Sequence, residues 1–248
     1  MKILIVLIKW KGGVGRVVRN QKRELEKLGH KVKVLTREET PDFFIRSKLI
    51  EYDIIFSQDW SIALRLMFRK NHYVCFHGHN PQFLGKVIQQ ILGILKGKKL
   101  FVVGDTLKER FPKATILYNA VDPKEFYDLK KERKYLGWIK RDYEEITKAG
   151  AKSMAEDHGL KLSIAENIPP EKMNEWYNSL KVFVSYPKSF TGFNMCWIEA
   201  KASGVPIILG NGNGIGIKKS LKSWKKLTWK NNVKELLRII NKVEKEVY

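Results

Sequence analysis

Apolar and polar positions change places in short blocks along the chain, and the blocks predict strands and helices in alternation. Residues 2–8 (KILIVLI) form a brief, nearly continuous apolar run, the pattern of a strand buried on both faces. Gly12-Gly13-Val14-Gly15 then opens a helix that carries Val17, Val18, Leu25 and Leu28 on one face and stops at Gly29. Residues 32–36 (VKVLT) complete a β-α-β unit, whose crossover should be right-handed. Further strands are expected at 53–57, 72–78, 99–104 and 115–119, with helices at 61–70 and 83–95.

Residues 122–134 (DPKEFYDLKKERK) are polar, charged and without period, and read as a linker. The alternation then restarts. Strands are expected at 134–139, 160–165, 181–186 and 205–210, with helices at 143–159, 169–180 and 195–204. A last amphipathic helix follows, with Asn231 or Asn232 as its N-cap. The pattern implies an α/β fold: two Rossmann-like domains with mainly parallel sheets and an interdomain cleft. The expected boundaries are 1–126, 127–228 and a C-terminal helix, 229–248, packing back on the first domain. In such folds ligands bind at the carboxyl ends of the strands, so function should sit in the loops that follow them.

Composition narrows the classes. The chain has 248 residues, 44% hydrophobic, and no apolar run long enough for a transmembrane helix. Residues 3–8 lack the cleavage site of a signal peptide. Cys75 and Cys196 have no metal-ligand spacing and read as core residues of a protein in a reducing cytoplasm. With 47 Lys+Arg against 26 Asp+Glu, the net charge is +21. Such a surface attracts polyanions, or is the lysine-rich solvated surface of a heat-adapted, thermostable protein. No nucleic-acid motif accompanies the charge, so a nucleic-acid partner is disfavoured. Helix 83–95 lies beside KGKK (96–99); it is either a buried helix of the first domain or a docking element for an anionic membrane.

Candidate chemistry falls where the sheet edges predict it. The glycines at 12, 13 and 15 either let backbone N–H groups approach a phosphate or acceptor, or simply make a tight turn. Their spacing is not a dinucleotide fingerprint. His77 and His79 follow a strand and can hydrogen-bond a hydroxyl or phosphate, or stay satisfied by backbone. Asn119-Ala120-Val121-Asp122 reads as a structured turn. In FVSYPKSFTGFNMCWIEAKASGVPII (183–208), the N–H groups of Gly192, Phe193 and Asn194 open a helix, and Glu199 lies further along it. A carboxylate repels phosphate but accepts the two hydroxyl protons of a ribose diol.

These segments, in order, resemble the retaining glycosyltransferases of the GT-B fold, the large group 1 (family 4 type) that includes sucrose synthases and bacterial lipid mannosyltransferases. GGVGRVVRNQKRELEKLGHKVKVLT resembles the family's opening turn and helix, Gln58-Asp59-Trp60 its h-D-W segment, and VCFHG its v-t-H-G. YNAVDPKEF is similar to p-N-G-V-D-x-x-x-F, and the stretch at 183–208 to the paired-glutamate motif with its E-A-x-A-x-G-x-P. The resemblance implies metal-independent transfer of a sugar from a nucleotide-diphosphate donor to an acceptor hydroxyl, with retained anomeric configuration and no cofactor. It implies that Lys140 and Arg141 offset the leaving diphosphate, helped by backbone N–H groups near Gly13 and at Gly192–Asn194. Gly137 and Thr191 would join the donor site, Glu199 would bind ribose, and the base would lie near 166–168. His77 would contact the sugar or acceptor. Gly12, Asp59 and His79 would lie on the acceptor side, where the acceptor is unknown, a lipid-linked glycan at a membrane surface being one candidate. Three departures stand out: Thr191 replaces the first glutamate of the pair, Trp138 follows Gly137 where arginine is expected, and Ala120 replaces the glycine after Asn119. They open an alternative, a nucleotide- or sugar-binding protein of the same fold with impaired turnover.

Overall fold

A computed structural model describes residues 1–10, 12–38, 51–78, 82–140, 145–186, 193–210, 221 and 224–247. The chain divides into two units. The first comprises Met1–Ala120, Phe190–Phe193 and Trp229–Tyr248; the second comprises Val121–Ser189 and Asn194–Thr228.

The first unit is built on a parallel sheet of β1 (Lys2–Leu7), β2 (Lys31–Thr36), β3 (Ile54–Ser57), β4 (His72–Phe76), β5 (Leu100–Val102) and β6 (Thr115–Ile116). The strand order is β2-β1-β3-β4-β5-β6. Five consecutive residues of β1, Ile3–Leu7, are buried, as are all of β3 and β4, which explains their unbroken apolar runs. Helices α1 (Gly12–Lys27), α2 (Trp60–Arg65), α3 (Phe83–Lys96) and α4 (Asp105–Arg110) connect the strands. The second unit has β7 (Tyr135–Ile139), β8 (Lys161–Ala165), β9 (Leu180–Ser185) and β10 (Ile207–Leu209), all parallel in the order β10-β9-β7-β8. Helices α5 (Glu145–Asp157), α6 (Met173–Asn178) and α7 (Met195–Ala202) join them. The C-terminal helix α8 (Trp229–Val247) packs against α1 in the first unit. The expected α/β class with parallel sheets is what the chain forms.

Several elements differ from the sequence reading. Leu28 lies beyond the end of α1 and is 42% exposed, because the chain turns out at Gly29, whose φ of +81° only glycine adopts readily. The helix expected over 61–70 ends at Arg65, and that expected over 169–180 is a 3-10 turn, Pro170–Lys172, followed by α6. Helix α4 was not anticipated; Pro112 follows it and halts it after six residues. Asn231 and Asn232 are not N-caps, since α8 already begins at Trp229. Residues 122–134 are not a loose linker. Phe126 is buried against Tyr177, and Asn178 holds both the Leu129 N–H (2.8 Å) and the Tyr127 carbonyl (3.0 Å). Arg133 donates to Asp128 (2.9 Å) and to the Ser203 carbonyl (2.7 Å). Polar side chains, invisible to periodicity, fasten this segment.

The glycines at the start of α1 have different tasks. A Cβ on Gly15 would fall 1.8 Å from the Trp10 carbonyl oxygen, whereas one on Gly13 would meet nothing within 4 Å. Gly15→Ala is therefore expected to cost roughly 2 kcal/mol or more, by forcing backbone apart. Gly13→Ala should be neutral or stabilising by up to about 1 kcal/mol, because alanine favours helix. Urea denaturation of the two variants checks the contrast.

Candidate functional site

In each sheet the strand order reverses at one place, and in open α/β sheets ligands bind outside the carboxyl ends of the strands at such a place. In the first sheet the reversal lies between β1 and β3. The loop after β1 leads into Gly12 and Gly13, which are exposed at the start of α1. Gln58 and Asp59 follow β3, and His77 follows the neighbouring β4. Asp59 is the N-cap of α2, its carboxylate accepting the Ser61 N–H at 2.7 Å, so its local role is to start that helix.

His77 ends a hydrogen-bonded chain. Its Nε2 is 2.7 Å from Gln58 Oε1, and Gln58 Nε2 donates to Gln21 Oε1 at 3.5 Å. Gln21 Nε2 donates to Asn232 Oδ1 at 3.1 Å, and Asn232 Nδ2 to the Tyr118 carbonyl at 2.8 Å. With Gln58 Oε1 as acceptor, Nε2 carries the proton and Nδ1 the lone pair. Burial lowers the imidazole from 6.5 to about 4. His77 is thus neutral near pH 7, an acceptor for a hydroxyl proton rather than a cation for a phosphate.

In the second sheet the reversal lies between β7 and β9. Lys140 directly follows β7 and forms an ion pair with Glu166, which follows β8; the side chains are 50% and 49% exposed. Asn194 stands at the N-cap position of α7, the helix after β9, without a side-chain cap bond. Trp197 is fully buried and its indole N–H donates to Ser185 Oγ at 3.0 Å, which fixes α7 on the end of β9. That fixing turns Glu199 inward to 3% exposure, where Tyr177 Oη donates to its Oε2 at 3.1 Å. Tyr177 is held in turn by Phe126, Trp176 and Phe183.

The remaining expected residues fall as follows. Gly137 lies inside β7, and a Cβ there would strike Leu180 Cδ1 at 2.2 Å, so a larger residue would force the buried Leu180 side chain to shift. Trp138, where the family pattern has arginine, is a core residue packed with Ala151 and Ala155 of α5. Phe193 is buried in the first unit against Tyr118, with ring centroids 5.6 Å apart, and its carbonyl accepts from Asn119 Nδ2 at 2.6 Å. His79, Arg141, Thr191 and Gly192 lie outside the described residues. Among the described residues no three His, Cys, Asp or Glu side chains form a group that could hold a metal ion.

The sequence reading missed Tyr177, Asn119, Gln21 and Asn232 as functional partners. Gln21 left a signal: it falls at helical spacing between Val18 and Leu25, a polar residue on an apolar stripe. Asn119 stood in the YNAVDPKEF motif, but its partner lies 74 residues away; Tyr177 left no signal, its partner lying 22 residues away.

The fold is of the GT-B type. Residues 11–103 match the sequence profile of Glycosyltransferase Family 4, a span that includes the glycines of α1, Asp59 and His77. Sucrose-phosphate synthase from Thermosynechococcus elongatus is similar in structure at 12% identity, over 99% of this chain and 98% of its own, with a TM-score of 0.61. A glycosyltransferase from Rickettsia africae is similar at 16% identity over 98% of each chain, with a TM-score of 0.62. HepE from Anabaena, solved in complex with UDP and glucose, is similar at 11% identity over 100% of this chain and 99% of its own, with a TM-score of 0.60. A search of curated protein sequences finds no match.

The partly buried imidazole of His77 sets a pH dependence. Unfolded, His77 binds a proton below pH 6.5; folded, it refuses one until about 4. The unfolded state therefore gains protons as pH falls through that window, and stability drops with it. His72, buried beside Ser57 Oγ at 2.8 Å and also pushed down by burial, acts in the same direction. His77→Gln should lose roughly 1–3 kcal/mol less than wild type between pH 6.5 and 4. Urea midpoints measured across that range test this.

Proposed function

We propose that the chain is a glycosyltransferase that moves a sugar from a nucleotide-diphosphate donor to an acceptor hydroxyl. The reading that fits best is retaining and metal-independent transfer of a hexose without a cofactor. The observation that carries the proposal is Glu199, a buried carboxylate presented by the helix after β9 and oriented by Tyr177. A carboxylate so oriented suits the diol of a ribose, which donates two hydrogen bonds. HepE in complex with UDP and glucose supports a donor of this class.

In this reading the second unit binds the donor. Lys140, Arg141 and the backbone N–H of Asn194 offset the charge that develops on the leaving diphosphate, the kind of stabilisation that often dominates catalysis. The ion pair of Lys140 with Glu166 is half exposed, so a diphosphate can exchange for the carboxylate at small cost. Thr191 donates to or accepts from the donor without charge. Gly13 and Gly12 in the first unit offer backbone N–H groups, and His77 accepts a hydrogen bond from a sugar or acceptor hydroxyl.

One observation favours a second reading, a binding protein with impaired turnover: Trp138 is committed to the core, so no cation stands where the related motif has arginine. Transfer or donor hydrolysis, assayed with the nucleotide sugars of whichever base binds, separates the two.

Calorimetric titration with UDP, GDP and ADP, without magnesium and with chelator present, tests the donor site. One nucleotide should bind, and Glu199→Gln should weaken it by about tenfold or more, the loss of a charged hydrogen-bond acceptor. Equal affinity in the variant would remove Glu199 from the site. A requirement for magnesium would overturn metal independence.

A further inference from the structure

Helix α3 exposes most of its large apolar residues and buries two polar ones. Its buried stripe is Gly85, Gln89, Leu92 and Lys96, whereas Phe83, Leu84, Ile94 and Leu95 are 83%, 68%, 70% and 55% exposed. With about 3.6 residues per turn, Phe83 and Ile94 fall opposite the buried stripe and Leu84 and Leu95 on its flank. The inward stripe is fastened by partners that a rotation would break. Gln89 Nε2 donates to the Gly78 carbonyl at 3.1 Å, and Lys96 Nζ to the carbonyls of Arg69 and His72 at 3.3 and 3.4 Å. Gly93 adds a steric lock, since a Cβ there would lie 2.8 Å from Phe111 Cδ1. The large apolar residues therefore face solvent because Gln89 and Lys96 are the side chains the unit can satisfy.

Helix α2, which packs against α3, and the turn after it also expose large apolar side chains. Leu64 is 38% exposed, and Phe68, in the turn after α2, is 88% exposed. Isolated exposed apolar residues are ordinary, but a contiguous set of large ones marks a contact surface. Charge says with what. From residue 60 to residue 104 the sequence contains no Asp or Glu, while Arg65, Lys70 and Lys86 are exposed cations of these elements. Lys98 and Lys99, just after α3, pair with Glu246 and Glu244 of α8. A symmetric dimer through the patch would set these cations against their own copies, an arrangement that costs energy.

We propose that this face docks on an anionic lipid bilayer, with Phe68 and Phe83 inserted among the acyl chains and Lys86 at the headgroups. Amphipathic surfaces of this make-up bind in the interfacial plane by apolar burial combined with attraction to anionic lipid. The arrangement needs no spanning segment, and among the described residues no helix is long and apolar enough to cross a membrane. It is independent of the donor chemistry, and a lipid-linked acceptor would be delivered by the same surface.

The test is cosedimentation of the full chain with vesicles of phosphatidylcholine containing about one third phosphatidylglycerol, compared with pure phosphatidylcholine. The chain should bind the anionic vesicles at low salt and release at high salt. Phe68→Ser/Phe83→Ser should bind about tenfold more weakly or worse, and Lys86→Glu several-fold more weakly. Because these side chains are exposed, the variants should melt like wild type and keep nucleotide affinity in calorimetry, so failure here is distinguishable from failure of the donor site. No binding to anionic vesicles, or binding unchanged by the double substitution, would overturn the proposal. So would light scattering that shows a dimer which the double substitution splits, because the patch would then be a self-interface.

Discussion

The chain of amides from His77 to the Tyr118 carbonyl is the constraint on which the first unit turns. Every link donates in the same sense: imidazole to Gln58, Gln58 to Gln21, Gln21 to Asn232, Asn232 to the backbone. Buried amides cost free energy unless both their donors and acceptors are met, so the chain holds only when α1, α8 and the ends of β3 and β4 stand in one arrangement. That arrangement fixes the tautomer of His77 and keeps it neutral. The position of the C-terminal helix and the chemistry of the candidate histidine are thus one problem with one solution.

The second unit solves a parallel problem with different residues. Asn174 and Asn178 of α6 bind the backbone of residues 127–129, and Ser203 donates to Asn174 Oδ1 at 2.9 Å. Arg133 ties the same segment to the end of α7. The aromatic cluster around Tyr177 completes the set and points its hydroxyl at Glu199. A charged-looking stretch without period therefore becomes part of the scaffold that holds the candidate carboxylate. Its polar residues act as fasteners rather than as a solvated spacer.

Charge and apolar surface carry separate information. The excess of lysine is spread along the chain and says little about one partner. The acid-free span from residue 60 to 104 is more telling, because it coincides with a helix that buries Gln89 and Lys96 and exposes most of its large apolar residues. An amphipathic pattern reveals that a helix has two faces; which face turns inward depends on what the neighbouring strands and loops can satisfy. Here Gly78, Arg69 and His72 offer carbonyls, and the glutamine and lysine of α3 take them.

The succession of strands, the parallel sheets and the strand ends where candidate residues should gather can be read from the sequence alone, although α4 cannot. These are local matters: period 2, period 3.6, and glycine or proline at the breaks. Strands β1, β3, β4, β7, β8 and β9 fall within a residue or two of their expected places for that reason. Only the tertiary structure decided that Asn232 is an interior link rather than a cap, and that Glu199 answers to Tyr177. It alone assigned Trp138 to the core and most of the large apolar residues of α3 to the outside. Each of these rests on a partner brought from elsewhere in the chain, as far as 211 residues away for Gln21 and Asn232. Periodicity records how one segment divides its own faces; it holds no record of which distant donor, acceptor or ring will meet them.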